Sequence, residues 1–163
     1  MKPRVYLETS VISYLSARPS RDLIVAAHQQ ITQAWWERRR HDFDVLVSEL
    51  VYVEARAGDP EAALGRLQLL SGLPLLPVHR EAQALATALM QQCRLPSKAQ
   101  IDALHVAVAA HGQVNYLLTW NCRHIANAEL FASMAHACAD HGLKMPTLCT
   151  PEELLGDLDD NEL

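Results

Sequence analysis

The sequence lacks several features that would assign a protein directly to a functional class. Its cysteines, Cys93, Cys122, Cys138 and Cys149, form no C-x-x-C pair, which is the spacing that zinc sites commonly use. We therefore expect free thiols, as is usual in a reducing cytoplasm. No apolar run approaches the ~20 residues that a membrane-spanning helix needs, and the N-terminus does not have the pattern of a signal peptide. These absences predict a cytoplasmic protein without a membrane span.

The sequence also lacks an excess of basic residues. Among its 163 residues, 14 Lys and Arg stand against 19 Asp and Glu, so the formal net charge is -5. A protein of this charge has no general basic surface with which to hold nucleic acid. Binding to nucleic acid would therefore require local basic groups or metal ions. Since 50% of the residues are apolar and 20% are charged, the composition is that of a globular protein with a sizeable core.

Short apolar runs alternate with longer amphipathic segments along the chain. The runs RVYLE, FDVLVS, LPLLPV, VNYLLTW and PTLC are typical of strands, and the segments between them have helical periodicity. The prolines of LPLLPV place that strand at a sheet edge. Strands separated by helices predict right-handed crossovers and a mainly parallel sheet with helices on both faces.

Local signals add detail to this α/β pattern. Asp59 followed by Pro60 predicts a helix start, as does the segment TPEELL, and Ser97 with Gln100 predicts a capping box. No repeat or interior linker is present, so we expect a single domain over residues 1–155 and an acidic C-terminal tail over residues 156–163.

Polar residues lie where such a fold would place an active site. Glu8 ends the first strand, and Asn121 follows the apolar strand VNYLLTW. Glu54 lies in the helix after the second strand, and Asp102 opens the apolar helical run DALHVAVAA. Active sites of parallel sheets form at the carboxyl ends of strands. Carboxylates gathered there repel each other unless a cation is present, and Mg²⁺ and Mn²⁺ prefer such oxygen ligands.

Three segments, VYLETSVISYL, VSELVYVEA and IDALHVAVAAHGQVNYLLTWNCRHI, resemble the signature segments of the PIN domain. The resemblance is to the small bacterial form found as the ribonuclease toxin of VapBC-type toxin–antitoxin pairs, and it runs from Val5 to about Leu155. It implies a PIN-like three-layer α/β/α sandwich and Mg²⁺- or Mn²⁺-dependent hydrolysis of RNA. The four acidic positions of the family, which bind the metal and carry catalysis, fall on Glu8, Glu54, Asp102 and Asn121.

Two of these positions depart from the family pattern. The first acid is usually Asp, and Glu8 keeps the charge on a side chain one methylene longer. The fourth acid is also usually Asp, and Asn121 offers a neutral carbonyl oxygen instead. We expect the loss of that charge to weaken a second metal ion more than the first.

Every candidate except Asp102 also has a simpler structural interpretation. Glu8 could cap the following helix, Glu54 could form an ion pair with a nearby arginine, and Asn121 suits a turn. Among the residues beside the acids, the substrate-binding candidates are Thr9, Thr119, Arg123 and His124. The two threonines could instead cap a helix or end a strand, and the other two could lie in a solvated loop. We interpret His105 as a buried core residue rather than a general base.

The resemblance predicts a metal-dependent endoribonuclease that is the toxin of a pair with a small antitoxin protein. The alternative is a catalytically eroded PIN-fold module that binds RNA or protein. A phosphatase is a third interpretation, which the absence of an Asp-x-Asp motif after the first strand disfavours. We also expect a homodimer, because the helix over residues 20–40 carries Leu23, Ile24, Trp35 and Trp36 on more than one face.

Overall fold

The computed structural model describes residues 1–156 of the chain. Within this part, five strands and seven α-helices alternate as the sequence predicts. The strands are β1 (Arg4–Leu7), β2 (Asp44–Ser48), β3 (Leu75–Leu76), β4 (Tyr116–Leu118) and β5 (Thr147–Cys149). The helices are α1 (Thr9–Ser16), α2 (Leu23–Arg38), α3 (Glu49–Ala55), α4 (Pro60–Leu70), α5 (Arg80–Gln92), α6 (Gln100–His111) and α7 (Phe131–Asp140). The predicted acidic tail lies outside the described residues from position 157 onward.

All five strands pair in parallel, in the order β3-β2-β1-β4-β5. The central strand is β1, in which Tyr6 stands opposite Leu46 of β2 and Leu117 of β4. The two-residue strand β3 forms one edge, as its flanking prolines predict. Helices α1 to α4 contact one another, and so do α5 to α7. Right-handed crossovers place these two groups on opposite faces of the sheet, which confirms the predicted α/β/α sandwich.

The carboxyl ends of β1 and β4 are the switch point of this sheet. From β1 the chain adds β2 and β3 on one side, and then returns to add β4 and β5 on the other. Such a point is where parallel sheets bind ligands. Both strands are anchored in the core, because Leu7 of β1 and Leu118 of β4 are fully buried. The main chain beyond them stays paired, since Glu8 N donates to Leu118 O at 3.0 Å.

Of the three helix starts that local signals predict, one is confirmed and two differ. Asp59 caps α4 by accepting a hydrogen bond from Ala62 N at 2.9 Å. Ser97 makes no capping bond and instead begins a short 3₁₀ turn, Ser97–Ala99, ahead of α6. The capping box predicted there is therefore wrong.

The segment TPEELL forms turns rather than a helix. Glu153 Oε2 accepts from Thr150 N at 2.7 Å, so the local hydrogen bond of a helix start is present. The backbone then enters the left-handed region at Gly156, where φ is 77°, and a helix cannot continue through that conformation.

The expectations of free thiols and of no membrane-spanning helix can be compared with the described part of the chain. All four cysteines lie within it and are free thiols, as expected. None of its helices has the length and apolar character needed to cross a membrane.

Candidate active site

Glu8 is a buried carboxylate at the switch point of the sheet. It is the N-cap of α1 and is only 6% exposed. Hydrogen-bond donors satisfy one of its two carboxylate oxygens. Its Oε2 atom accepts from Thr119 Oγ1 at 2.7 Å, from Ser10 Oγ at 2.5 Å and from Ser10 N at 3.1 Å. The capping interpretation of Glu8 therefore describes what Oε2 does. No described residue donates to Oε1, which remains available to a ligand.

Glu54 approaches the same place from the last turn of α3. Its Oε1 atom accepts from Thr9 Oγ1 at 2.7 Å and lies 2.6 Å from His105 Nε2. Burial acts to raise the pKa of Glu54, but the hydrogen bond and electrostatic interaction with His105, together with the Thr9 hydrogen bond, outweigh it and lower the pKa. Glu54 is therefore an anion at neutral pH, and no described residue donates to its Oε2.

The two carboxylates and one imidazole form a compact group. One ligand atom from each of Glu8, Glu54 and His105 can be chosen so that all three lie within 4.8 Å of one another. The sequence predicts the convergence of Glu8 and Glu54, and the structure shows it. The third member of the group is a histidine rather than the predicted Asp102.

His105 is fully buried, and both of its ring nitrogens have partners. Besides the contact of Nε2 with Glu54, Nδ1 lies 2.7 Å from the hydroxyl of Tyr6. The Tyr6 hydroxyl is also 2.7 Å from Ser48 Oγ. Burial raises the pKa of Tyr6 well above its ordinary value, so this side chain is a neutral phenol. The prediction that His105 is a buried residue agrees with the structure, but its contact with a site acid was not foreseen.

Asp102 lies in the first turn of α6, three residues before His105, and has a different partner. Its Oδ2 atom is 2.9 Å from His124 Nδ1, in a pair that is largely shielded from solvent. No described residue donates to Oδ1. Asp102 is thus outside the compact group of the described residues, and its role as a metal ligand stays a prediction.

Asn121 holds the turn that follows β4. Its Oδ1 atom accepts from His124 N at 2.9 Å and from Arg123 N at 3.3 Å. This is the turn role that the sequence offered as the alternative to metal binding. The turn brings His124 to Asp102, so Asn121 affects the site through the chain that it orders. Its role as a ligand also stays a prediction.

The residues predicted to contact substrate divide into two groups. Thr9 and Thr119 donate to Glu54 and Glu8, respectively, so their hydroxyls hold the acids in place. Thr119 also accepts from Asn121 N at 2.9 Å, which ties the turn to the strand end. Arg123 is exposed, whereas His124 is engaged with Asp102.

The turn after β4 is also held in place through Trp120, the residue before Asn121. The Trp120 ring is stacked on His28 of α2, with centroids 4.0 Å apart and an angle of 13° between the planes. Trp120 Nε1 donates to Thr32 Oγ1 at 2.7 Å, and Trp120 N donates to Ser10 Oγ at 2.8 Å. The residue before Asn121 is therefore anchored to both α1 and α2.

Sequence reasoning missed Tyr6, Ser48 and the role of His105. These residues are separate along the sequence: a polar side chain inside β1, a serine at the end of the adjacent strand β2 and a histidine in an apolar helix. The available signal was that each is a buried polar group in need of a partner. Nothing in their spacing shows that they are partners of one another.

Comparison with known families agrees with this architecture. Residues 5–129 match the family described as PIN domain. No curated protein sequence matches the chain significantly.

The first prediction concerns Thr119, whose hydroxyl donates to Glu8 and accepts from Asn121 N. Thr119→Val should lower the free energy of unfolding by about 1–3 kcal/mol, because the buried Glu8 oxygen loses a donor and Asn121 N loses its acceptor. Urea unfolding at neutral pH, with chelator present, measures this difference. Thr87→Val is the matched control, since among the described residues the Thr87 hydroxyl bonds only to Gln83 O, on an exposed face of α5. Equal unfolding energies for the two variants would contradict this account of Thr119.

Proposed function

Because the chain belongs to the PIN domain family, whose members are generally nucleases that use divalent metals, we propose that it is a metal-dependent endoribonuclease. The proposal takes Mg²⁺ or Mn²⁺ as the cofactor and RNA as the substrate. We also propose that residues 1–155 form one domain, which is supported by the pairing of all five strands in one sheet.

The observation that carries this proposal is that the two oxygens of each carboxylate differ in their hydrogen bonding. In both Glu8 and Glu54, one oxygen accepts every hydrogen bond that the described residues donate, and the other oxygen accepts none. Two carboxylates brought together in this way repel each other. A divalent cation between the unoccupied oxygens would replace that repulsion with attraction.

The donor set fits a hard cation. Carboxylate oxygens suit Mg²⁺ and Mn²⁺ better than softer metals. Glu8 and Glu54 would hold the ion together with Asp102, whose Oδ1 is also without a donor among the described residues. When bound, the ion would supply positive charge that offsets the negative charge developing on the phosphate. The threonines and His105 would keep the acids in position.

Substrate binding must overcome the net charge of -5. We propose that Arg123 contacts RNA phosphates, because it is exposed on the turn that Asn121 orders beside the site. Arg18, another candidate cation, forms an ion pair with Glu61 at 3.1 Å. That pair is highly exposed, so it can exchange for a phosphate with little loss of stability.

The second prediction tests the third acid. Asp102→Asn should lower Mn²⁺-dependent RNA cleavage by about a hundredfold or more, the order of loss found when one group that stabilises transition-state charge is removed. Gel-based cleavage of a labelled RNA measures the rate, and circular dichroism checks the fold.

Asp140→Asn is the matched control for this variant. Asp140 is also an aspartate beside a histidine, His136, at 3.5 Å, but it lies on α7. Full activity in a well-folded Asp102→Asn protein would contradict the metal-site assignment. A wild-type protein that binds Mn²⁺ only at millimolar concentration would favour the eroded binding module instead.

The third prediction concerns the neutral fourth position. Asn121→Asp should tighten Mn²⁺ binding, because it adds a carboxylate beside the ion while one oxygen can still accept from the turn. Isothermal titration calorimetry measures the affinity. If the affinity falls or stays the same, Asn121 is a turn residue and not a ligand.

We extend the proposal to the biological setting that the resemblance implies. The protein would be the toxin of a toxin–antitoxin pair, with a small antitoxin protein as its partner. A small gene immediately upstream, whose product suppresses the ribonuclease activity, would support this assignment.

The fourth prediction is that the protein is a homodimer. Leu23 and Ile24, at the start of α2, are 86% and 70% exposed, and exposed apolar patches are typical of interfaces. Light scattering at micromolar concentration should give about twice the chain mass of 18.1 kDa. Replacing Leu23 and Ile24 with lysine should yield the monomer, whereas lysine at Ile101 on α6 should not. A wild-type mass of one chain would refute the dimer.

A further inference from the structure

We propose that His105 is a positioning residue, which holds the Glu54 carboxylate in the orientation that binds a divalent cation. The inference rests on the proposed function, because the cation concerned is the one that Glu54 would bind there. It assigns a role to a histidine that would otherwise count as a third metal ligand.

The physical basis is a hydrogen-bonded chain that runs through the sheet to the site. Ser48 ends β2, Tyr6 lies in β1, and His105 lies in α6. All three side chains are fully buried. Successive polar atoms along the chain are 2.7, 2.7 and 2.6 Å apart, and the last of these distances joins His105 Nε2 to Glu54 Oε1.

The proton positions along this chain follow from its ends. Glu54 is ionised, so its oxygen can only accept, and the proton of this contact lies on His105 Nε2. Nδ1 lies 2.7 Å from the Tyr6 hydroxyl, and it accepts the phenol hydrogen when the ring carries its proton on Nε2 alone. The phenol oxygen accepts in turn from the Ser48 hydroxyl. Each donor therefore has an acceptor, which a buried polar chain requires.

This arrangement leaves His105 without a lone pair for a metal ion. A histidine ligand must offer an unprotonated nitrogen, but Nε2 is protonated toward Glu54 and Nδ1 is occupied by Tyr6. Metal binding by Nε2 would leave the Glu54 oxygen without this donor. The group that remains for the cation consists of carboxylate oxygens alone, which is the donor set that Mg²⁺ and Mn²⁺ prefer.

The hydrogen-bonded chain also explains how Glu54, on a short helix, is held precisely enough for metal binding. Glu54 is only half-buried and lies in the last turn of the seven-residue helix α3. Contacts from other elements hold its Oε1 atom: Thr9 of α1 donates to it, and so does His105 of the buried helix α6. Tyr6 in the central strand β1 in turn holds His105.

The fifth prediction compares two replacements of His105 by isothermal titration of Mn²⁺. His105→Leu keeps an apolar side chain of similar size but removes the donor, and should weaken Mn²⁺ binding about ten- to a hundredfold. His105→Gln places an amide N–H near the position of Nε2 and should recover most of the affinity. Loss of affinity in the leucine variant with recovery in the glutamine variant is expected of a positioning residue.

Tyr6→Phe tests the chain without altering the imidazole. It removes one hydroxyl and should weaken Mn²⁺ binding in the same direction but by less than His105→Leu. The matched control is Tyr116→Phe, at the start of β4, where the ring contacts Phe43 and not the site. Unchanged Mn²⁺ affinity in His105→Leu would overturn the positioning role, and unchanged affinity in Tyr6→Phe would overturn the contribution of the hydrogen-bonded chain to it.

Two spectroscopic measurements separate positioning from ligation. In Mn²⁺-loaded wild-type protein, electron spin-echo spectra should show no ¹⁴N coupling typical of a bound imidazole, and such a coupling would overturn the proposal. In metal-free protein, ¹⁵N NMR of labelled histidine should show His105 protonated at Nε2. Tyr6→Phe should shift the His105 signals, and Tyr116→Phe should not.

The outcomes distinguish this inference from the proposed function. If the wild-type protein binds Mn²⁺ and cleaves RNA, but His105→Leu leaves the affinity unchanged, only the positioning role is overturned. If the wild-type protein does not bind Mn²⁺, the proposed function fails together with the role of His105 in metal binding. An unprotonated Nε2 in the metal-free protein would overturn the hydrogen-bonded chain itself.

Discussion

The burial of the Glu8 carboxylate between β1 and β4 is the constraint on which the site depends. A charged group in that place strongly destabilises the fold unless donors satisfy it. The donors come from Ser10 at the start of α1 and from Thr119 at the end of β4. The hydrogen bonds that satisfy the charge therefore also join two strand ends and a helix. The next residue, Thr9, donates to Glu54, so fixing the first acid also fixes the second.

Much of this architecture follows from the sequence. Apolar runs of strand length, separated by helical periodicity, are enough to predict five strands and a parallel sheet. The rule that parallel sheets bind ligands at strand carboxyl ends then selects Glu8, because it directly follows Leu7 of β1. The position of Glu54 follows from the resemblance rather than from the rule, since it lies six residues beyond the end of β2. Both acids are found in one group.

The pairing of the remaining polar side chains could not be predicted in this way. Periodicity shows which face of an element is buried, but not which buried polar groups meet across elements. Asp102 and His105 are three residues apart on α6, and both point away from solvent, yet one pairs with His124 and the other with Glu54. That choice depends on side-chain conformations and on the turn that Asn121 orders. Such details are fixed only when the whole sheet is assembled.

The structural and the catalytic interpretations of Glu8 do not exclude each other. An N-cap is usually Ser, Thr, Asp or Asn, whose short side chains reach only the first turn of the helix. The longer side chain of Glu8 bonds to Ser10 within α1 and also to Thr119 on β4, and it does both through a single oxygen. One carboxylate oxygen of this longer side chain thus satisfies the structural requirement, while the other has no donor among the described residues. Capping α1 through Oε2 thus holds the Glu8 carboxylate beside that of Glu54, which is the place where we propose that a cation binds.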